Sequence, residues 1–490
     1  MVRLFVFLKI SSMNSFFSYS GMIALAYLSL LVPGFGQEVG DRVVATANFA
    51  TKYKKEDVGR VFEGGIHTVS RVDGKWCMLD NIEGWLPAQN LMNLTEARDY
   101  YSKRIASNGQ DSIAYAHRGM VFRELGDLVA AFTDLDRSLA INRNNPVVWM
   151  NRGVVLQGQG KFLLAARDFN EAIRINPKLA NAHFNLGLAF YTLSDFQQAI
   201  AAYDKAIELN AKDPIWFVSR GSAKLNAGDF QGAEEDYRSA LKLNSKLSDA
   251  YVGLCNIALL RNDFEQAFLD ADKSVKLQPK NAMALNARGW ILFKQGKIEG
   301  AIGDFNRALQ YAPEFPLAYA NRGVCYVKQN DFSKAVADHT RHLELDSESA
   351  VAYSNRAVAW LGLGNYQKTV DDFEAAEKLA PELDEALNGY AWFLATCPDD
   401  AFRNGKLAIE KSQKACELTQ YKDWYQLDTL AAAFAETGDF DSAVKWARQA
   451  LEIAPEDKKN LCRQQLKRFE NKQPFRSQIG KNAEEGILGR

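Results

Sequence analysis

Apolar and small side chains recur along two thirds of the chain with a period of 34 residues. One slot holds Gly119, Gly153, Gly187, Gly221, Cys255, Gly289, Gly323 and Ala357. A second holds Ala131, Ala165, Ala199, Ala233, Ala267, Ala301 and Ala335, and Pro177, Pro279, Pro313 and Pro381 stand at repeat ends. Within 146–179, Trp149, Gly153 and Leu156 have helical spacing, and so do Phe162, Ala165, Phe169 and Ala172. Each period therefore predicts two antiparallel helices, brought close by their small residues. One such pair buries too little apolar surface to stand alone, so eight of them, over 112–383, predict a stacked α-solenoid rather than a globule.

The period, the small slot, the alanine and the closing proline together resemble the tetratricopeptide repeat (TPR) family. The expected fold is mainly α, a TPR solenoid of about ten helix pairs, preceded by a small all-β domain. Upstream, Ala97, Tyr101 and Ile105 predict a half-repeat capping helix over 95–111, with Thr95 as its cap. Downstream the register slips: 384–457 reads as two divergent repeats, the ninth with about five extra residues between its helices. Residues 458–490 read as a capping helix, Lys459 to Phe469, and a tail disordered beyond Gln473.

Ahead of the repeats the period changes. Between Gln37 and Leu94, short β-rich runs at Val43-Val44, Val61-Phe62, Thr68 to Val72 and Trp76 to Leu79 are punctuated by Asp73-Gly74 and Asn81 to Gly84. The run Gly64-Gly65-Ile66-His67-Thr68-Val69, then Gly74-Lys75-Trp76 and Gly84-Trp85-Leu86-Pro87, is similar to bacterial SH3-like barrels. The resemblance implies a barrel over 37–94 that serves as an interaction module, with a cell-wall component as its ligand class. Trp76 and Trp85 suit either a ligand surface or the core that so small a barrel needs. Residues 1–36 carry Arg3 and Lys9, no acid and an apolar run from Met22 to Val32. They read as an export signal cleaved after Gly36 or, uncleaved, as a membrane anchor, so the chain is expected in the periplasm or cell envelope.

A second regularity pairs Arg118, Arg152, Arg220, Arg288, Arg322 and Arg356 with Asp134, Asp168, Asp236, Asp304, Asp338 and Asp372, sixteen residues on. At Leu186 the partner slot is Ala202, so both charges are lost together; only Leu254 with Asp270 breaks the rule. An architectural ion pair between the two helices of each repeat is expected. Charge is otherwise balanced, 59 Lys and Arg against 60 Asp and Glu, with no basic stripe, which argues against nucleic acid. No Walker loop, nucleophile elbow or HExxH helix occurs. His339 and His342 occupy slots that face the interior of their helix pair and, with Cys325, make too few ligands for zinc. No enzyme activity, cofactor or metal is expected. Of the six cysteines, Cys397 and Cys416 sit on the two arms of the long ninth repeat, either bridged or free and buried.

The TPR resemblance places partner contacts on the concave face of the first helices. Here the matching positions are unusually apolar: Met120, Met150, Val154, Phe184, Leu188 and Tyr191, then Met283, Trp290, Phe293, Val324, Val327 and Val358, with Asn286 among them. Asn151, Asn185, Asn321 and Asn355 match the family's frequent groove asparagine. The chaperone-type carboxylate clamp is missing, because its slots hold Met150 with Val154 and Ala320 with Val324. These features imply an exported interaction scaffold for protein or peptide partners. The alternative is a cell-wall binding protein whose barrel carries recognition while the solenoid is a spacer.

Overall fold

The computed structural model describes residues 42–45, 49–53, 56–61, 66–73, 76–80, 85–87 and 91–477. The expected export segment, 1–36, lies outside the described residues. The described residues divide into two compact units, one ending at Ser245 and the other running on from Lys246.

The first unit opens with seven strands: β1 Arg42–Ala45, β2 Phe49–Tyr53, β3 Glu56–Val61, β4 Ile66–Asp73, β5 Trp76–Leu79, β6 Trp85–Pro87 and β7 Leu91–Asn93. They form one antiparallel sheet in the order β3-β2-β6-β5-β4-β1-β7. Asp73 pairs with Trp76 across the expected hairpin. The sheet is open: β3 and β7 are its edges and, among the described residues, do not pair, so the expected barrel is not closed. The side chains of Trp76 and Trp85 lie outside the described part. Side chains alternate across β1 as a pleated strand requires. Val43 and Ala45 join Val69, Cys77, Leu79 and Leu91 in the sheet's own core, whereas Val44 packs with Ala97, Tyr101, Ala114 and Val121.

That second cluster fixes the sheet to the helices. The first of them, α1 (Leu94–Ser107), follows β7 without a linker and packs against β1 and β7, on the face that Val44 presents. Its cap is Asn93, not Thr95: Asn93 Oδ1 accepts from the Glu96 amide at 2.9 Å, and Glu96 Oε2 accepts from the Asn93 amide at 3.0 Å. This reciprocal box satisfies two amides that the first turn leaves without partners.

Four helix pairs complete the unit: α2 Ser112–Glu124 with α3 Leu128–Ile141, α4 Pro146–Gly158 with α5 Phe162–Ile175, α6 Ala180–Thr192 with α7 Phe196–Leu209, and α8 Pro214–Asn226 with α9 Phe230–Leu243. The glycine slot is where the helices cross. A methyl built on Gly153 would stand 2.6 Å from the Phe169 ring, and one on Gly187 would stand 2.6 Å from Tyr203. Only hydrogen fits there, and the aromatic ring fills the space instead.

The second unit continues with α10 Ser248–Leu260, α11 Phe264–Leu277, α12 Ala282–Lys294, α13 Ile298–Tyr311, α14 Pro316–Lys328, α15 Phe332–Leu345, α16 Ala350–Gly362 and α17 Tyr366–Leu379. The divergent repeats are α18 Asp384–Thr396 with α19 Gly405–Leu418, and α20 Trp424–Glu436 with α21 Phe440–Ile453. Helix α22, Lys459–Glu470, closes the stack with Cys462 and Phe469 buried. One expectation changes here, and one pair of alternatives narrows. Pro474 to Ser477, expected to be disordered, return along α18, where Phe475 meets Trp392. Cys397 and Cys416 are both free and belong to different apolar clusters. Cys416 lies eleven residues into α19, about 16 Å along the helix from the loop end that carries Cys397, well beyond disulfide reach. No helix among the described residues is long and apolar enough to cross a membrane.

Candidate partner-binding face

In both units, successive first helices pack directly on one another, α2 on α4, α4 on α6, α6 on α8, and again from α10 through α18, more closely than successive second helices do. The first-helix row therefore lies on the inner side of each unit's curve. Along it the expected contact residues separate into two sets. Met120, Met150, Val154, Phe184, Asn185 and Leu188 are half-buried, as are Met283, Trp290 and Phe293. Asn151, Tyr191, Asn286, Asn321, Val324, Val327, Asn355 and Val358 are buried within the chain itself.

The polar members of the face are used between repeats. Asn151 accepts from Arg123 Nη1 at 3.2 Å and donates to Met120 Sδ at 3.2 Å, joining α4 to α2. Gln157 donates to the Asn185 carbonyl at 3.3 Å, joining α4 to α6. Asn226 donates to the Tyr191 hydroxyl at 3.1 Å, joining α8 to α6, and burial pushes that phenol up to about 12. In the second unit Asn321 donates to Asn286 Oδ1 at 2.9 Å. Asn151 and Asn321, with Asn286, are thus engaged in holding the stack; Asn185 lends only its backbone carbonyl and keeps its half-buried side chain on the face, and the buried Asn355 amide nitrogen has no hydrogen-bond partner. Phe184 stacks on Trp216 at 5.5 Å, while Trp290 stacks on Phe293 at 5.3 Å with Lys294 Nζ 4.9 Å from the indole centre.

The arginine slot does more than the sequence shows. Each guanidinium takes the aspartate of its own repeat with two donors; Arg288 Nε and Nη2 reach Asp304 at 2.7 and 2.8 Å. The remaining nitrogen, Nη1, reaches the element before it. Arg118 donates to Ser102, Arg152 to Asp136, Arg220 to Asp204, Arg288 to Asp272, Arg322 to Asn306 and Arg356 to Thr340. All six acceptors lie sixteen residues before their arginine, so one planar side chain staples three helices. Where arginine is absent, at Leu254, Asp270 accepts instead from Gln266 at 3.0 Å.

Family models match this architecture directly. Residues 150–214 and 218–282 match a tetratricopeptide repeat model, 289–330 match a TPR repeat model, and 428–457 match a further tetratricopeptide repeat model. The chain carries tetratricopeptide repeats. No curated protein matches it in sequence. Solved TPR-type structures resemble it in fold. A tetratricopeptide repeat protein from Parabacteroides merdae is 19% identical, with a TM-score of 0.45, over 51% of this chain and 99% of its own. The human IFIT1 dimer with m7Gppp-AAAA is 14% identical, with a TM-score of 0.46, over 74% and 95%. The APC/C hetero-tetramer Cut9-Hcn1 is 14% identical, with a TM-score of 0.46, over 77% and 87%.

The TPR interior also accounts for the remaining reactive groups. Cys325 and Cys416 are buried, and burial pushes each thiol up to about 12, which removes the thiolate that reactivity needs. His339 is fully buried against Gly323, in the position that Phe169 and Phe305 hold in sister repeats.

Proposed function

We propose that this chain is an exported, non-enzymatic TPR scaffold that binds partner proteins as extended segments along the first-helix face. The observation that carries the reading is the run of half-buried apolar side chains on consecutive first helices, Met120, Met150, Val154 and Leu188 in one unit and Trp290 with Phe293 in the other. Accessible apolar side chains gathered on the first helices of one unit suit the apolar anchors of a partner segment. Because Met150, Val154, Ala320 and Val324 fill the slots of a carboxylate clamp and Asn151 and Asn321 are engaged between repeats, recognition rests on apolar anchors and shape, with Asn185 as the accessible amide. Export rests on the composition of residues 1–36, and the SH3-like reading of 37–94 on its glycine and tryptophan pattern; a cell-wall ligand belongs to the alternative in which that domain recognises and the repeats only space.

The test is crosslinked capture from the cell envelope by residues 37–490, compared with Val154→Glu and Leu188→Glu together and with Phe293→Glu. Phe184 is avoided because its stack on Trp216 is structural. Partners lost in the variants, with helicity by circular dichroism unchanged, support the scaffold. Capture that is undiminished in both variants sinks it and moves recognition to the N-terminal sheet.

A further inference from the structure

Nine first helices among the described residues end alike. A residue at positive φ follows the helix: Gly126, Gly160, Ser194, Gly228, Asn262, Gly296, Asn330, Gly364 and Gly438. The next amide then returns to a carbonyl in the last turn, as Asp127 does to Phe122 and Asp331 to Tyr326. This closure supplies donors to carbonyls that a helix end otherwise leaves open. Helix α18 lacks it. It runs into Cys397 at φ −51° and ψ 132°; the long loop supplies the Asn404 amide to the Leu394 carbonyl at 3.0 Å and Arg403 Nη1 to the Cys397 carbonyl at 2.9 Å, which leaves the Ala395 and Thr396 carbonyls.

The chain's own tail provides what is missing. The Ser477 amide donates to the Thr396 carbonyl at 2.9 Å, and the two hydroxyls lie 2.7 Å apart. Arg476 Nη1 reaches the Ala395 carbonyl at 3.5 Å, and Nη2 pairs with Glu436 Oε2 at 2.6 Å. Phe475 packs on Trp392 with ring centres 5.3 Å apart, under the Arg468 guanidinium. A main-chain amide on an open carbonyl, an aromatic on an indole and an arginine on a carboxylate are the elements of peptide recognition. Here they are met by one stretch of chain on the first helices of the last two repeats, against the apolar cluster that also contains the buried Val327 and Val358 and apart from the half-buried residues of the candidate face above.

We propose that this seat, made by Trp392, the Ala395-Thr396 end of α18 and Glu436, is a docking site for a protein segment presenting an aromatic residue, an arginine and a serine or threonine in succession. Phe475-Arg476-Ser477 fills it in cis, and a partner segment of the same chemistry exchanges with it. The seat is built to survive the exchange. Glu436 keeps Arg403, whose Nε donates to Oε1 at 3.0 Å, so its carboxylate is not stranded when Arg476 leaves. The Thr396 hydroxyl likewise keeps the Trp392 carbonyl at 2.7 Å. The tail is held by one ring contact, one ion pair and a few hydrogen bonds, which places it among the segments that open locally without global unfolding.

The inference is tested on the full chain after export processing, residues 37–490, by fluorescence anisotropy with a labelled peptide of residues 471–481. Phe475→Ser with Arg476→Glu releases the resident tail. A short tether holds the tail at an effective concentration on the order of millimolar, so the released variant should bind the peptide at least about tenfold more tightly than the wild type. Phe475→Ala or Arg476→Glu within the peptide, which leaves the protein's fold untouched, should each weaken binding about tenfold or more, and Glu436→Gln in the protein should weaken it as well. A released variant with unchanged circular dichroism and no saturable binding up to roughly 1 mM would make the tail a permanent cap and overturn the proposal. A concentration-dependent dimer of the wild type that the released variant abolishes would assign the seat to a second copy and overturn the partner assignment. Both readouts are independent of envelope capture, so this site and the face proposed above stand or fall separately.

Discussion

Replacing His339 with phenylalanine should stabilise the second unit. The imidazole is fully buried, and neither ring nitrogen has a hydrogen-bond partner. It lies against Gly323, where a methyl would stand 2.7 Å from the ring, just as Phe305 lies against Gly289, where the distance is 2.8 Å. The sister repeat therefore shows that a phenyl ring fits this crossing. Removing buried nitrogens that have lost their water should gain about 1–3 kcal/mol. A pH signature makes the test specific. Burial, with His342 and Arg356 nearby, holds the His339 pKa down to about 3 from 6.5. The folded chain thus keeps the ring neutral where the unfolded chain protonates it, so its stability falls as pH drops below about 6.5 and levels off near 3. Between about pH 7.5 and pH 5 the loss from this one group is about 2 kcal/mol, from roughly 1.4 kcal/mol per unit of pKa difference. His339→Phe should remove that part of the acid sensitivity and leave the smaller part due to His342. Because repeat arrays open piecemeal, the measurement is hydrogen exchange of 316–345 at both pH values beside the thermal midpoint. Faster exchange in the variant, or an unchanged pH slope, would refute the reasoning.

Three further outcomes follow from the repeat geometry. Arg288→Met leaves Asp304 buried without its two donors and should cost about 3–5 kcal/mol, while adding Asp304→Ala, which imitates Leu186 with Ala202, should restore much of it in a denaturation cycle. Lys161 and Lys297 begin α5 and α13 without a side-chain cap, whereas Asp127, Asp195, Asp229, Asp263 and Asp331 cap the sister helices; Lys161→Asp and Lys297→Asp should each add about 0.5–1 kcal/mol, seen as a raised thermal midpoint. Gly289→Cys should cost about 1–3 kcal/mol against the Phe305 ring, and Phe305→Ala in the same chain should cost less than it does alone, because together they rebuild the Cys255 and Ala271 pair; calorimetry on the cycle checks it.

The helix pairs were legible because stacking forces every repeat to solve the same packing problem, so Gly153, Ala165 and Phe169 recur at fixed offsets. The arginine and aspartate pairing was legible for the same reason. Its second half was not: the acceptors of Nη1 are Ser102, Asp136, Asp204, Asp272, Asn306 and Thr340, which share an oxygen but not an identity. Asn321 and Val324 are buried within the chain, which spacing does not show, because positions separated by a single turn of one helix can point to the groove or to the next repeat. The sequence left Cys397 and Cys416 open as bridged or as free and buried, because spacing does not show that α19 carries the second cysteine away from the loop. Thr95 has the residue type of a cap, but the helix begins one residue earlier, at Leu94, so Asn93 at the strand end takes that role. The docking of Phe475 left no periodic trace at all, since the segment forms neither helix nor strand.

Departures from the period come with their own compensation. Leu186 meets Ala202, so neither charge is left without the other. Cys255 replaces glycine where the facing residue is Ala271, so the volume added on one helix is removed from its partner. Asp270 loses its arginine and is held by Gln266. The same logic extends to the ninth repeat, where the positive-φ turn is replaced by a longer loop and the donors that turn would supply come from Arg476 and Ser477. Each exception conserves a physical quantity, namely charge, volume or hydrogen-bond count, rather than a residue. Sister repeats in one chain therefore serve as mutual controls: a lone deviation with no compensation nearby points to a demand from outside the repeat. Among the described residues, His339, with two unsatisfied nitrogens and no compensating donor, is one deviation that the packing does not repay, and the buried Asn388 amide is another.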